Sequence, residues 1–569
     1  MLDVRFAGAT LVDGTGAPAR LADVGVRHGR VVAIRDPGAL DEPAVQHVDA
    51  TGLVLAPGFV DLHTHYDAQL CWDPTASPSP LHGVTTVLGG NCGFTIAPAG
   101  PDHADYLMRM LARVEGMPIE ALSAGLAWDW NSFGDWLGGL EGSIAVNAGF
   151  LVGHSALRRV VMGDDAIGSP ATPEQVAAMV ALLRRSLNEG GLGLSTSQAG
   201  THRDRDGNPV PSRAAGRDEL LALAGVLADV PGMSVSLVPA GSLGQFSDDE
   251  VRLLTDLSLA SRAAVNWNVL GVSAGNPAQH EHQLAASDHA TAHGATVVAL
   301  TLPHRMQMRL SLRSGFLFDS LPGWAEFIGL PVPERIAALG DPGVRRRLDA
   351  GARSDEAGLL RALADWGRFA IVETFDPANA GLEGRTLRDV AAERGGDPFD
   401  VLCDVVVADD LRTGLDPRFM VDQPGDAEAR AAVWADPRTV IGGSDAGAHL
   451  DMMCGAVATT SLLAEGVRDH QVISLEEAVR QLTDVPARLY GLDGRGQVRE
   501  GWHADLVLFD PDTVAPGPVR TRDDLPGGAA RLYAESEGIQ SVWVNGSAIV
   551  RDGAFTGSTP GTVLRSGGT

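Results

Sequence analysis

Apolar, β-branched runs bounded by glycine or polar residues recur along the chain, and segments with apolar residues at three- and four-residue spacing lie between them. Eight runs predict strands, at 54–65, 83–92, 148–155, 191–197, 233–241, 263–271, 295–303 and 439–445. Helical periodicity is clear at 172–188 and 217–229. Strand and helix alternating eight times predict an α/β fold, a (β/α)8 TIM barrel. The runs are apolar throughout rather than alternating, as parallel strands covered on both faces require.

Two regions depart from the repeat. The stretch 306–437, between the seventh and eighth strands, carries helix-like segments at 344–359 and 387–394, and its length predicts a cap or added subdomain. Near the ends, 3–36 and 501–553 read as short alternating strands with Asp-Gly and Asn-Gly turns, as in Val542-Trp-Val-Asn-Gly546. Residues 1–55 and 483–569 are therefore expected to form a small β-sandwich domain beside a barrel spanning 56–482.

Composition narrows the function classes. A chain of 569 residues with 44% hydrophobic content can bury a large core, and its length calls for more than one domain. The net charge of −28 repels phosphate backbones and anionic bilayers, and no Lys/Arg cluster offers a local exception, so neither nucleic acid nor membrane is an expected partner. No secretory signal and no apolar stretch of about 18 residues is visible. Cys71, Cys92, Cys403 and Cys454 are too few and too irregular for a disulfide framework, which fits a reducing cytoplasm.

Chemically capable residues gather at the carboxyl ends of the predicted strands, where barrel enzymes build their sites. His63 and His65 lie two apart, so their imidazoles share a strand face and can reach one divalent ion, most often zinc. Cys92, His154, His304 and Asp445 end or follow the second, third, seventh and eighth strands. His449 follows Asp445 by four, as a residue that orients ligand or substrate or as a loop cap. Arg203, Arg205 and Arg213 follow the fourth strand and Arg305, Arg309 and Arg313 the seventh; they offer carboxylate-binding forks or a solvated, self-neutralised surface. No phosphate loop is present.

Pro57-Gly-Phe-Val-Asp-Leu-His-Thr-His65, Gly83-Val-Thr-Thr-Val-Leu-Gly-Gly-Asn-Cys-Gly93, Val152-Gly-His-Ser-Ala-Leu-Arg158, Gly193-Leu-Ser-Thr196, Gly443-Ser-Asp-Ala-Gly-Ala-His449 and Gly496-Gln-Val-Arg-Glu-Gly-Trp-His-Ala-Asp-Leu-Val507 occur in that order. With them the chain resembles the amidohydrolase superfamily and, through Asn91-Cys92-Gly93, its N-acyl-D-amino-acid deacylase (D-aminoacylase) branch. The resemblance implies that His63, His65, Cys92 and Asp445 form the metal and catalytic site, with Asp445 as general base. It also implies histidines at the ends of the fifth and sixth strands, but 236–241 and 266–271 contain none.

Three arrangements follow from that departure. His63, His65 and Asp445, with Cys92 as a fourth ligand, hold one zinc; Asn268 or His304 substitutes for a missing histidine; or no tight metal is bound. The expected function is hydrolysis of an amide C–N bond in a small molecule, an N-acyl amino acid or a cyclic amide. His154, Arg203, Arg213, Asn268, His304 and His449 are candidates for substrate contact. The alternatives are a non-hydrolytic lyase, decarboxylase or isomerase on the same scaffold and a catalytically silent small-molecule binder. A homo-oligomer is compatible with each.

Overall fold

The computed structural model describes residues 1–230, 232–315, 317–418 and 421–566. The run 54–65 does not form one strand. Pro57 has no N–H for a ladder, and the chain turns at Gly58, whose own N–H donates to the Asp505 carbonyl (2.9 Å). Val54–Pro57 therefore joins a sheet built from the chain ends, and only Phe59–Asp61, here β1, enters the parallel layer.

The parallel strands that follow are β2 (Val84–Gly89), β3 (Asn147–Phe150 and, across Leu151, Val152–Gly153), β4 (Gly193–Ser197), β5 (Ser234–Val238), β6 (Ala264–Leu270), β7 (Val297–Thr301) and β8 (Thr439–Ile441). The first part of β3 completes a three-stranded sheet with β1 and β2, and its second part begins a six-stranded sheet running through β4 to β8. Every neighbouring pair is parallel, with Ser195 beside Ser236 and Ser236 beside Asn266. Beyond β1 and β8, Thr64 and Ala446 form a parallel bridge, and His65 N–H donates to the Ala446 carbonyl (2.7 Å).

Helices cover the strands. Pro173–Asn188 starts at a capping box between Thr172 and Gln175, and Asp248–Ser261 at one between Ser247 and Glu250, each satisfying orphan N–H groups at the helix start. Both send apolar residues, such as Leu183 and Leu254, into the main core. The result is a mixed α/β fold whose parallel strands are buried.

The chain ends pair into one nine-stranded sheet in which Val54–Pro57 lies antiparallel to Leu506–Phe509. The Asn545-Gly546 turn predicted from sequence joins Ile539–Val544 to Ser547–Arg551, with both turn residues at positive φ (46° and 78°). The hairpin Arg520–Leu525 and Ala529–Tyr533 leaves this sheet. It reaches the region around the parallel strands, where Thr521 Oγ1 donates to Glu373 (2.7 Å) and Arg531 Nη1 to the Ser77 carbonyl (2.7 Å).

Residues 310–415 build a separate apolar cluster around Phe318, Trp324, Trp366 and Phe399, joined by Met452 and Met453. The helix expected over 387–394 is present as Leu387–Arg394, and that expected over 344–359 is Pro342–Arg353, after which the chain continues in tighter turns. Among the described residues no helix is long and apolar enough to cross a membrane.

Candidate metal centre

β1 ends at Asp61, and the chain bends at His63 before the bridge at Thr64, bringing the centres of the His63 and His65 rings to 5.5 Å from each other. From β2 the chain enters a tight turn in which Gly90 has φ 74° and lies against the Leu151 carbonyl, leaving no room for a Cβ. Cys92 follows with φ 55°, and Asp445 and His449, beyond β8, have φ 59° and 49°. Non-glycine residues rarely adopt this region, at a cost of about 1–3 kcal/mol each, and such positions concentrate at functional sites.

These conformations bring four donors together. His63, His65 and Cys92 present ligand atoms within 4.8 Å of one another. His63 Nε2 lies 3.5 Å from Cys92 Sγ and 3.4 Å from Asp445 Oδ1, while His65 Nε2 donates to the same oxygen at 3.1 Å. Two imidazoles and a thiol in this compass, with a carboxylate against both imidazoles, suit a divalent cation of the zinc type.

The surroundings set the charge states. Desolvation opposes ionisation of Asp445, but hydrogen bonds from His63 and His65 hold its carboxyl well below the usual range. Burial raises the Cys92 thiol well above its ordinary value, reinforced by the charges of Glu115 and Asp445. His65 is lowered by burial, against the pull of Asp445. Asp61 is raised to about 6 by burial, offset by hydrogen bonds from Ser444 and the His63 N–H, and so links the ends of β1 and β8.

A cavity of about 630 Å³ opens over the cluster, lined by His63, Cys92, Asn268, His304, Asp445 and His449. His449 Nε2 stands 3.7 Å from Asp445 Oδ2. Asn268, at the end of β6, turns its Nδ2 toward Cys92 Sγ (3.8 Å), and β5 ends at Val238, which also lines the cavity. His304 Nδ1 donates to the Arg305 carbonyl (2.5 Å) and is pushed down to about 4 by burial.

Three sequence candidates lie elsewhere. His154 is not a strand-end ligand, because β3 stops at Gly153 and His154 opens the helix His154–Met162. Its ring is buried between Thr196 Oγ1 (2.9 Å) and Glu219 (2.9 Å), a carboxylate that also accepts from Arg158. Arg203 and Arg213 do not line the cavity and donate instead to the carbonyls of Gly207 and His202.

Two further residues line the cavity beyond those expected from sequence. Glu115 is buried with Oε1 3.6 Å from His65 Nδ1, and burial, then the charges of Asp445 and Asp67, push its carboxyl well above the usual range. It sits alone in Arg113-Val-Glu-Gly116, without ligand spacing. His202 accepts from or donates to Ser197 Oγ (2.7 Å) and is driven down to about 4 by burial and the nearby His449. Only its place directly after the fourth strand marks it.

Residues 46–550 match the Amidohydrolase family. The N-acyl-D-aspartate deacylase of Alcaligenes xylosoxydans xylosoxydans is 32% identical, across 99% of this chain and 95% of its own. A crystal structure of D-aminoacylase superposes with a TM-score of 0.65 at 29% identity, covering 99% of this chain and 100% of that one. The N-acyl-D-glutamate deacylase from Bordetella bronchiseptica, solved with zinc and a phosphonate mimic of the tetrahedral intermediate, gives 0.64 at 25% identity over 99% and 100% of the two chains.

Proposed function

The chain belongs to the amidohydrolase family, and from that premise we propose that it deacylates a small N-acyl amino acid, with His63, His65, Cys92 and Asp445 holding one divalent ion, zinc. It is a hydrolase of amide C–N bonds, similar across its whole length to deacylases of N-acyl-D-amino acids. A divalent metal accords with the zinc of the similar N-acyl-D-glutamate deacylase. A single ion accords with the absence of histidine at the ends of β5 and β6.

The observation that carries the reading is the cluster of His63, His65 and Cys92, with both imidazoles meeting Asp445 Oδ1. A bound divalent ion would polarise the amide carbonyl and make water more acidic. Asp445, held ionised by its histidine neighbours, accepts a proton from the attacking water at a carboxylate oxygen. It returns that proton to the amide nitrogen as the C–N bond breaks, leaving a carboxylic acid and a free amine. His202, neutral near pH 7, offers the cavity a hydrogen bond rather than a charge.

The same proposal covers the architecture. Parallel pairing from β1 to β8 and the Thr64–Ala446 bridge support closure into a (β/α)8 barrel. So does the shared cluster of Leu62, Leu88, Leu151, Leu300 and Val440. Residues 56–482 would form that barrel, with 306–437 as a subdomain on its own core. Phe6 and Trp543 meet at 5.2 Å although two strands separate theirs, which supports a chain-end sheet folded on itself as a sandwich. Four unpaired cysteines favour a reducing cytoplasm.

The test is amine release from a panel of N-acetyl-D- and N-acetyl-L-amino acids by the zinc-loaded protein and its Asp445→Asn variant. Stoichiometric amine from D-substrates, with kcat reduced by roughly 10²–10⁴ in the variant, is expected of a lost general base. No amine from any member, or full activity in the variant, overturns the proposal.

A further inference from the structure

A second cavity, of about 790 Å³, lies beside the catalytic one and shares Arg309 and Leu532 with it. Its walls come from the loop after Gly116, the start of the 306–437 region and the hairpin around Gly527. Scattered along the chain, seven arginines are gathered here by the fold against three carboxylates, Glu120, Asp451 and Asp523. The chain contains no lysine, so all 44 basic residues are arginines, and its net charge is −28. With Asp105, Asp319, Glu373 and Asp524, which pair with four of these arginines, the formal charges around the cavity balance, a neutral patch on so acidic a protein.

Five of these arginines are already paired. Arg109 meets Asp105 (2.7 Å), Arg113 meets Asp319 (2.8 Å), Arg309 meets Glu373, Arg412 meets Asp523 (3.8 Å) and Arg531 meets Asp524 (2.8 Å). The partners fix the guanidinia in place. Arg309 is held most firmly, donating to Thr521 Oγ1 (2.7 Å) and lying over Gly414, where a Cβ would collide with its Nε. Its Nη1 has no hydrogen-bond partner among the described residues.

Arg205 and Arg313 differ from the rest. Both are exposed at the cavity, and among the described residues neither forms an ion pair. A guanidinium presents a planar fork of N–H donors that binds carboxylate or phosphate oxygens in pairs. Two unpaired forks over a cavity of this size, backed by fixed guanidinia, match a small molecule carrying two negative charges.

We propose that this cavity is a second ligand site, separate from the metal centre, that binds a small dianion through Arg205 and Arg313. The shared chemistry is paired oxyanion charge, supplied by a dicarboxylate or by phosphate. The site does not depend on the deacylase reading, since its readout is binding.

Calorimetric titration of the full-length, zinc-loaded protein at low ionic strength with glutarate, inorganic phosphate and propionate tests it. The same titrations are run on Arg205→Gln/Arg313→Gln, whose exposed side chains leave the fold intact, and on metal-free His63→Ala/His65→Ala. Saturable binding of glutarate or phosphate to wild type and to the histidine variant is expected, weakened at least roughly tenfold in the arginine variant. Propionate should bind at least about tenfold more weakly than the better dianion. Preference for glutarate identifies a dicarboxylate ligand, and preference for phosphate a phosphorylated one. Absence of saturable binding, equal affinity in the arginine variant, loss of binding in the histidine variant, or propionate equal to the dianions overturns the proposal.

Discussion

The Asn268 amide approaches the Cys92 sulfur to 3.8 Å at the end of β6, the strand end at which the resemblance to D-aminoacylases calls for a histidine. An amide nitrogen is a donor with no free lone pair for a cation, so it contributes a hydrogen bond to the thiol where an imidazole would contribute a ligand.

Asn268→His should therefore tighten zinc binding. One added imidazole beside Cys92 is expected to improve affinity by about tenfold or more, on the scale by which groups around a metal tune it. Competition with a chromogenic chelator measures this, and unchanged affinity would place the ion away from Cys92.

His63→Ala/His65→Ala should abolish tight metal binding. Protein purified without added metal should carry about one zinc per chain by plasma mass spectrometry, and the double variant close to none. Zinc retained in the variant would contradict the proposed ligand set.

His82 should give stability a dependence on pH. It is fully buried between Thr460 Oγ1 (2.7 Å) and the Ala534 carbonyl (3.1 Å), and burial pushes its pKa down from 6.5 to about 4. Between those values the unfolded chain binds more protons than the folded one, so stability rises with pH across this window and is lost on acidification. The loss from this group approaches about 3 kcal/mol below pH 4. His82→Asn should be less stable than wild type at pH 7.5, with the gap narrowing toward pH 4 in urea titrations. A constant gap would show that the ring does not titrate in this way.

Trp324→Ala should destabilise the 310–415 cluster by about 3–5 kcal/mol, the usual cost of removing a buried tryptophan. The ring is fully buried, stacks 5.4 Å from Phe318 and donates to the Leu348 carbonyl (2.9 Å). Because that cluster is separate from the main core, near-ultraviolet circular dichroism should show an early transition while the rest stays folded. A single, uniformly shifted transition would indicate one cooperative unit.

The alternation of strand and helix was legible because buried parallel strands need continuous apolar runs, and His63 and His65 because two-residue spacing fixes a shared side. Strand ends were less legible. Gly58 divides what reads as one run, and β3 stops one residue before His154, turning that ring toward Glu219. Arg203 and Arg213 could not be judged because loop side chains choose among nearby carbonyls, a choice without periodicity. Glu115 and the arginines of the second cavity are significant only through contacts made across long sequence separations, which no local pattern records.

Met452 and Met453 pack in the core of the 310–415 cluster, while Asp445 and His449, a few residues earlier on the same loop, line the cavity over the histidine cluster. One short loop thus has its two halves anchored in different bodies. For anyone exchanging this subdomain with that of a relative to change selectivity, the natural seam is not at 437: a transplant that leaves 445–453 behind separates the methionines from their packing partners, so the loop must travel with the subdomain or its methionine sockets must be rebuilt.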